Sequence, residues 1–79
     1  MNLAELAIGT SAVVTRVGGQ GSFRRRLMEH GLLPGTQVEL MRIAPLGDPL
    51  ELLVRGASLS IRRAEALTVE VATGPRGNP

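Results

Sequence analysis

The chain has 79 residues, which limits it to one small domain. A domain of this size buries only about 60% of its unfolded surface, so it has room for one modest core but not for a deep pocket as well. Cysteine is absent, which excludes disulfides and thiolate metal sites. These limits argue against most enzymes with buried active sites and favour binding through the surface.

The charge is modest, with nine arginines against seven acidic residues and a net charge of +2. A nucleic-acid surface would need a stronger basic field and aromatic side chains for stacking, and the chain has a single Phe. No apolar run approaches the roughly 20 residues of a membrane span, and the N-terminus does not resemble a signal peptide. We therefore expect a cytoplasmic protein with no nucleic-acid partner and no membrane insertion of its own.

The first part of the chain predicts one helical turn, one strand and one helix. Residues 2–6 have capping-box spacing and predict the turn. Residues 10–17 are rich in β-branched side chains and predict the first strand. After a glycine-rich break, Ser22 is expected to cap a helix over residues 23–30, which Gly31 ends.

The rest of the chain predicts short strands separated by turns. A connection with two prolines and a glycine covers residues 45–49, and one helical turn covers residues 62–66. The remaining predicted strands are residues 36–44, 50–55, 58–61 and 67–71. The five strands predict a mostly β fold, a small SH3-like five-stranded barrel with one inserted short helix.

Residues 1–72 are expected to form a single domain, followed by a Gly/Pro-rich disordered tail over residues 73–79. The core is predicted from the apolar faces of the strands and of the helix. Its expected members are Val14, Phe23, Leu27, Val38, Leu40, Leu52, Val54, Ile61 and Val69.

Catalytic and cofactor chemistry find little support in the sequence. Four serines have only His30 as a candidate base, and the glycine-rich segment lacks the lysine of a phosphate-binding loop. His30 and Glu29 offer two possible metal ligands, whereas a stable zinc site usually takes three or four. We predict no enzyme activity, no cofactor and no metal site.

Two segments are candidates for contact with a partner. Arg24, Arg25 and Arg26 fall in the first turn of the predicted helix, where cations oppose the helix dipole. They are either a solvated face or a site for an acidic partner. The second candidate is the 45–49 connection, where Leu46 and Asp48 stand between two prolines on a pre-ordered loop.

Four segments resemble the FeoA family in order and spacing. They are LAELAIG over residues 3–9, RRRLMEHGLLPGT over residues 24–36, APLGDPL over residues 44–50 and LSIRRAEA over residues 59–66. Together they span nearly the whole chain, and the motif order is more specific than any single motif.

The resemblance implies an SH3-like barrel with an inserted helix, in a small cytoplasmic accessory protein of bacterial ferrous iron uptake. It implies a membrane transporter, FeoB, as partner, with docking on the cytoplasmic GTPase portion and a location at the inner face of the membrane through that partner. The family has no established enzyme activity. Weak self-association into a homo-oligomer is left open.

The alternative is the related SH3-like module at the C-terminus of iron- or manganese-dependent repressors. That module normally follows a DNA-binding helix-turn-helix and a dimerisation region. The sequence begins at Met1 and is expected to have room for neither.

We predict that the isolated chain binds no Fe²⁺ tightly, because it has no cysteine, one histidine and scattered carboxylates. Anaerobic titration calorimetry with Fe²⁺ measures this directly. A stoichiometric site that disappears in His30→Ala would contradict the prediction.

Overall fold

Five antiparallel strands form one sheet in the computed structural model, which describes residues 1–73. The strand order is β4-β3-β2-β1-β5. The strands are β1 (Ser11–Val17), β2 (Gln37–Ile43), β3 (Leu50–Val54), β4 (Ala57–Ile61) and β5 (Val69–Thr73). The helices are α1 (Gly21–Glu29), between β1 and β2, and α2 (Arg63–Ala66), between β4 and β5, and a 3-10 turn covers Leu3–Glu5. The predicted mostly β fold with one inserted short helix is confirmed.

Two irregularities curve the sheet. The β1–β5 register shifts between Val14 and Arg16, and the β2–β3 register shifts between Leu40 and Arg42. Such bulges bend a strand and increase its twist. In the described part of the chain the ladder ends at β4 and β5, and α2 connects these two edges. The sheet therefore curls around the core without a hydrogen-bonded seam between its first and last strands.

The β3–β4 hairpin is closed by a two-residue turn, Arg55-Gly56. Both residues have positive φ, at 54° and 81°, which matches the right-handed twist of the flanking strands. Val54 pairs with Ala57 directly across the turn, so the turn sets the register of this hairpin.

The core lies between the curved sheet and the inner side of the helices. Of the nine predicted core residues, eight are buried, and Phe23 is only half-buried against the cluster. The prediction missed several buried side chains, above all Leu3 and Leu6 of the opening turn. The further buried apolar residues are Ala4, Ala12, Val17, Leu32, Leu50, Ala66 and Val71.

The start of α1 differs from the prediction. The helix begins at Gly21 with Gln20 as its N-cap, because the Gln20 carbonyl accepts a hydrogen bond from the Arg24 N–H. Ser22 is thus inside the helix, and Arg26 lies in its last turn. A cation in the last turn is favourable to the helix dipole, so the predicted conflict with the dipole was wrong for Arg26.

The last strand also begins and ends later than predicted, since α2 and the connection after it take up residues 63–68. Thr73 pairs with Ala12 and belongs to β5, not to the tail. The rest of the predicted tail, residues 74–79, lies outside the described residues.

Leu27→Ala is expected to lower the free energy of unfolding by about 2–5 kcal/mol, because the side chain is fully buried and its loss leaves a cavity. Leu46→Ala is the matched control, because Leu46 is 96% exposed and its truncation should change stability by less than about 0.5 kcal/mol. Urea denaturation of both variants measures the difference. Equal urea denaturation midpoints for the two variants would contradict the assignment of Leu27 to the core.

Candidate docking surface

The connection between β2 and β3 presents an apolar side chain to solvent. Leu46 is the most exposed large apolar residue of the described chain. The loop is held by two backbone hydrogen bonds, one from the Ala44 N–H to the Pro49 carbonyl (3.1 Å) and one from the Gly47 N–H to the Ala44 carbonyl (2.7 Å). Leu46 therefore stands on an ordered turn.

Asp48 connects this turn to α2 through a hydrogen bond. Its Oδ1 accepts a hydrogen bond from the backbone N–H of Arg63 at 2.9 Å. That N–H lies in the first turn of α2, where a helix has no partner of its own for its amides. Asp48, predicted as a partner contact, thus has an internal function that positions Leu46 beside α2.

Glu65 joins α2 to α1. Its carboxylate is almost fully buried; Oε1 accepts from the Arg62 N–H at 2.8 Å, and Oε2 accepts from the Arg26 guanidinium. The Arg26 side chain remains 60% exposed. Arg26 therefore holds the two helices together while part of it still faces solvent.

The other two predicted arginines differ from each other. Arg24 donates from Nε to the carbonyl of Val17 at 3.0 Å and so attaches α1 to the end of β1. Arg25 is exposed and makes no side-chain hydrogen bond or ion pair within residues 1–73. A shallow depression on α1 is lined by Gly21, Arg24, Arg25, Met28 and Glu29.

The structure thus brings the two predicted segments into one chain of contacts. The loop of Leu46 is bonded to α2 through Asp48, and α2 is bonded to α1 through Glu65 and Arg26. Sequence reasoning missed Arg62 and Arg63 as candidates, although two adjacent arginines before Glu65 at capping-box spacing were a visible signal.

Metal and membrane features can be stated for the described residues. Residues 1–73 contain no group of three or more His, Asp or Glu side chains placed to hold a metal ion. In the same range, no helix has the length and apolar character needed to cross a bilayer.

The family model described as "FeoA domain" matches residues 1–73. The chain belongs to the FeoA family. The match ends where β5 ends, so the family domain and the described structure coincide.

Relatives support the same family. Over 71 residues the chain is 39% identical to the "Fe(2+) transport protein A/Fe(2+) transporter FeoB fusion protein" of Porphyromonas gingivalis, covering 90% of this chain but only 8% of that protein. The solution structure of FeoA from Chlorobium tepidum superposes with a TM-score of 0.86 at 44% identity, covering 92% of this chain and 70% of that one.

A crystal structure of FeoA from Stenotrophomonas maltophilia connects this fold to SH3 domains. It is 36% identical, with a TM-score of 0.78, and covers 90% of this chain and 88% of that one. That protein is described as complexed with zinc and as a prokaryotic SH3 domain protein. The predicted SH3-like fold is thereby confirmed.

The fold also occurs in more distant proteins, one of which is described as a manganese-dependent transcriptional repressor. IdeR of T. acidophilum superposes with a TM-score of 0.83 at 21% identity, covering 94% of this chain and 34% of that one. At this identity the similarity shows a shared fold alone. The module named as the alternative is therefore structurally related to this FeoA-family protein.

Arg26→Ala is expected to lower the free energy of unfolding by about 1–3 kcal/mol, because the buried Glu65 carboxylate loses a charged donor. Arg25→Ala changes a neighbouring arginine that has no side-chain partner within residues 1–73, and it should change stability by less than about 0.5 kcal/mol. Thermal and urea unfolding of both variants provide the comparison. If the two variants unfold alike, the pair with Glu65 does not stabilise the fold.

Proposed function

We propose that this FeoA-family protein is a non-enzymatic accessory of bacterial ferrous iron uptake that acts by docking on the cytoplasmic GTPase portion of the transporter FeoB. The observation that carries the proposal is the 39% identity to the P. gingivalis protein in which the two are fused. Covalent fusion of two domains is common where their separate forms work together. The chain spans 8% of that fusion protein, so the transporter's activity belongs to the rest of it.

Leu46 is the proposed anchor of the docked complex. An apolar side chain that is almost fully exposed on an ordered turn can enter a pocket of the partner without losing much conformational entropy. Interface energy is typically concentrated in a few such anchors. Leu46 is the best candidate on this chain, because its loop is already held by Asp48 and by two backbone hydrogen bonds.

The arginines of α1 are proposed to contribute charge around this anchor. Arg25 is available without breaking an internal contact, whereas Arg24 and Arg26 already bond to the fold. Charges at the rim of an interface mainly change the association rate and its salt dependence. We therefore assign Arg25 to steering, with Arg24 and Arg26 as partial contributors.

Docking on FeoB places the protein at the cytoplasmic face of the membrane. This location rests on the partner, which is fused to a FeoA-like segment in the P. gingivalis protein. The second candidate function is a module of the metal-dependent repressor type, for which the superposition on IdeR shows only a compatible fold. A neighbouring coding sequence for FeoB would favour docking, and one for a helix-turn-helix repressor would favour the module.

Leu46→Ala is expected to accelerate dissociation from the FeoB cytoplasmic portion of the same genome by about tenfold, or about 1.4 kcal/mol. Surface-plasmon kinetics with the immobilised partner measure the rate. Ile8→Ala, an exposed apolar residue before β1, is the matched control and should leave dissociation unchanged. An unchanged rate for Leu46→Ala would place the interface elsewhere, and absence of binding by the wild-type chain would contradict docking itself.

A further inference from the structure

We propose that Arg62 and Arg63 supply the main cationic contacts beside Leu46, and that they bind an acidic surface of the protein partner. This inference rests on the proposed function, because it names the chemistry of the same docking surface. Sequence reasoning considered only the arginines of α1; the structure leaves Arg25 available there and adds two uncommitted arginines at the start of α2.

The first step is position. The Arg63 backbone N–H is 2.9 Å from Asp48 Oδ1, and Asp48 is two residues from Leu46. The Cα of Arg63 is therefore close to the loop that carries the anchor. Arg62 precedes it directly, and its own backbone N–H is held by Glu65. Both arginines are thus held at the backbone, and Arg63 is bonded directly to the loop that carries Leu46.

The second step is availability. Both side chains are exposed, and neither guanidinium takes part in a hydrogen bond or ion pair in the described part of the chain. The nearby carboxylates of Asp48 and Glu65 are already bonded to backbone amides and to Arg26. By contrast, two of the three α1 arginines are committed internally. Arg62 and Arg63 are thus uncommitted cations at the start of α2, the helix to which the loop of the anchor is bonded.

The third step concerns the partner's chemistry. An arginine guanidinium presents paired donors that match a carboxylate, so two adjacent arginines fit an acidic surface. Leu67, which directly follows α2, is 52% exposed and adds apolar area at the other end of this short helix. The matching surface would therefore carry carboxylates around an apolar pocket.

A folded protein fits these observations better than nucleic acid or a bilayer. The chain's single aromatic residue, Phe23, is half-buried against the core, so it is a poor stacking platform for bases. A fluid bilayer does not require a fixed spacing between apolar and cationic groups. Here hydrogen bonds fix that spacing, and a fixed spacing is what a folded surface can recognise.

The test compares two double variants of the full chain with the same change in net charge. Arg62→Glu with Arg63→Glu removes the proposed contacts, and Arg16→Glu with Arg55→Glu changes two other exposed arginines that have no ion-pair partner within residues 1–73. Acidic residues are favourable in the first turn of a helix, so α2 is expected to persist. Circular dichroism and thermal unfolding verify the fold of both proteins.

The readout is the association rate with the FeoB cytoplasmic portion over a salt series. The 62/63 variant should associate at least tenfold more slowly at low salt, with a flatter salt dependence, while the 16/55 variant changes less than threefold. Equal slowing of both would show an effect of net charge alone and overturn the inference. Wild-type association by the 62/63 variant would also overturn it, while leaving docking through Leu46 intact.

Duplex DNA and vesicles of anionic phospholipid are tested as competing partners with the same two variants. Binding of either one at micromolar concentration, lost selectively in the 62/63 variant while association with FeoB is kept, would overturn the inference. Lack of such binding, together with slowed association to FeoB, supports an acidic protein surface.

Discussion

The arrangement of the two helices depends on the hydrogen bonds of the buried Glu65 carboxylate. A four-residue helix cannot sustain itself in water, because nucleation fixes several residues for one hydrogen bond. α2 exists because Glu65 binds the Arg62 N–H, Asp48 binds the Arg63 N–H, and Arg26 reaches across from α1. Both acidic side chains stabilise α2, and Asp48 at the same time bonds the loop of Leu46 to it.

The strands were predictable because their signals are local. β-branched segments, the proline-rich connection and the Arg55-Gly56 turn each favour one local conformation. The burial of Leu3 and Leu6 was not predictable in this way. Their turn packs against α2 and β5, about sixty residues further along the chain, and periodicity within five residues cannot indicate such a contact.

The candidate surface likewise combines local features that the sequence predicts with long-range contacts that it does not. The exposure of Leu46 follows from a short loop between two prolines, a local feature. The Arg26 side chain is bonded to Glu65, which is 39 positions away, and the Arg24 side chain is bonded to the carbonyl of Val17. Charged residues that look alike in sequence are thus separated into internal and available groups only by the tertiary fold.

The size of the domain limits how it can act on a partner. Its extents are 33 × 29 × 22 Å, so one whole face is only of the order of the roughly 800 Å² that each partner of a standard stable interface buries. A contact made by a single leucine anchor and a few arginines covers only part of such a face and would suit a transient complex. Fusion to the transporter, as in the P. gingivalis relative, replaces a bimolecular encounter with an effective concentration that reaches about the millimolar range for short linkers. Under the proposed docking, a weak surface of this kind would be sufficient once the partner is held nearby, without a deep pocket or a large core.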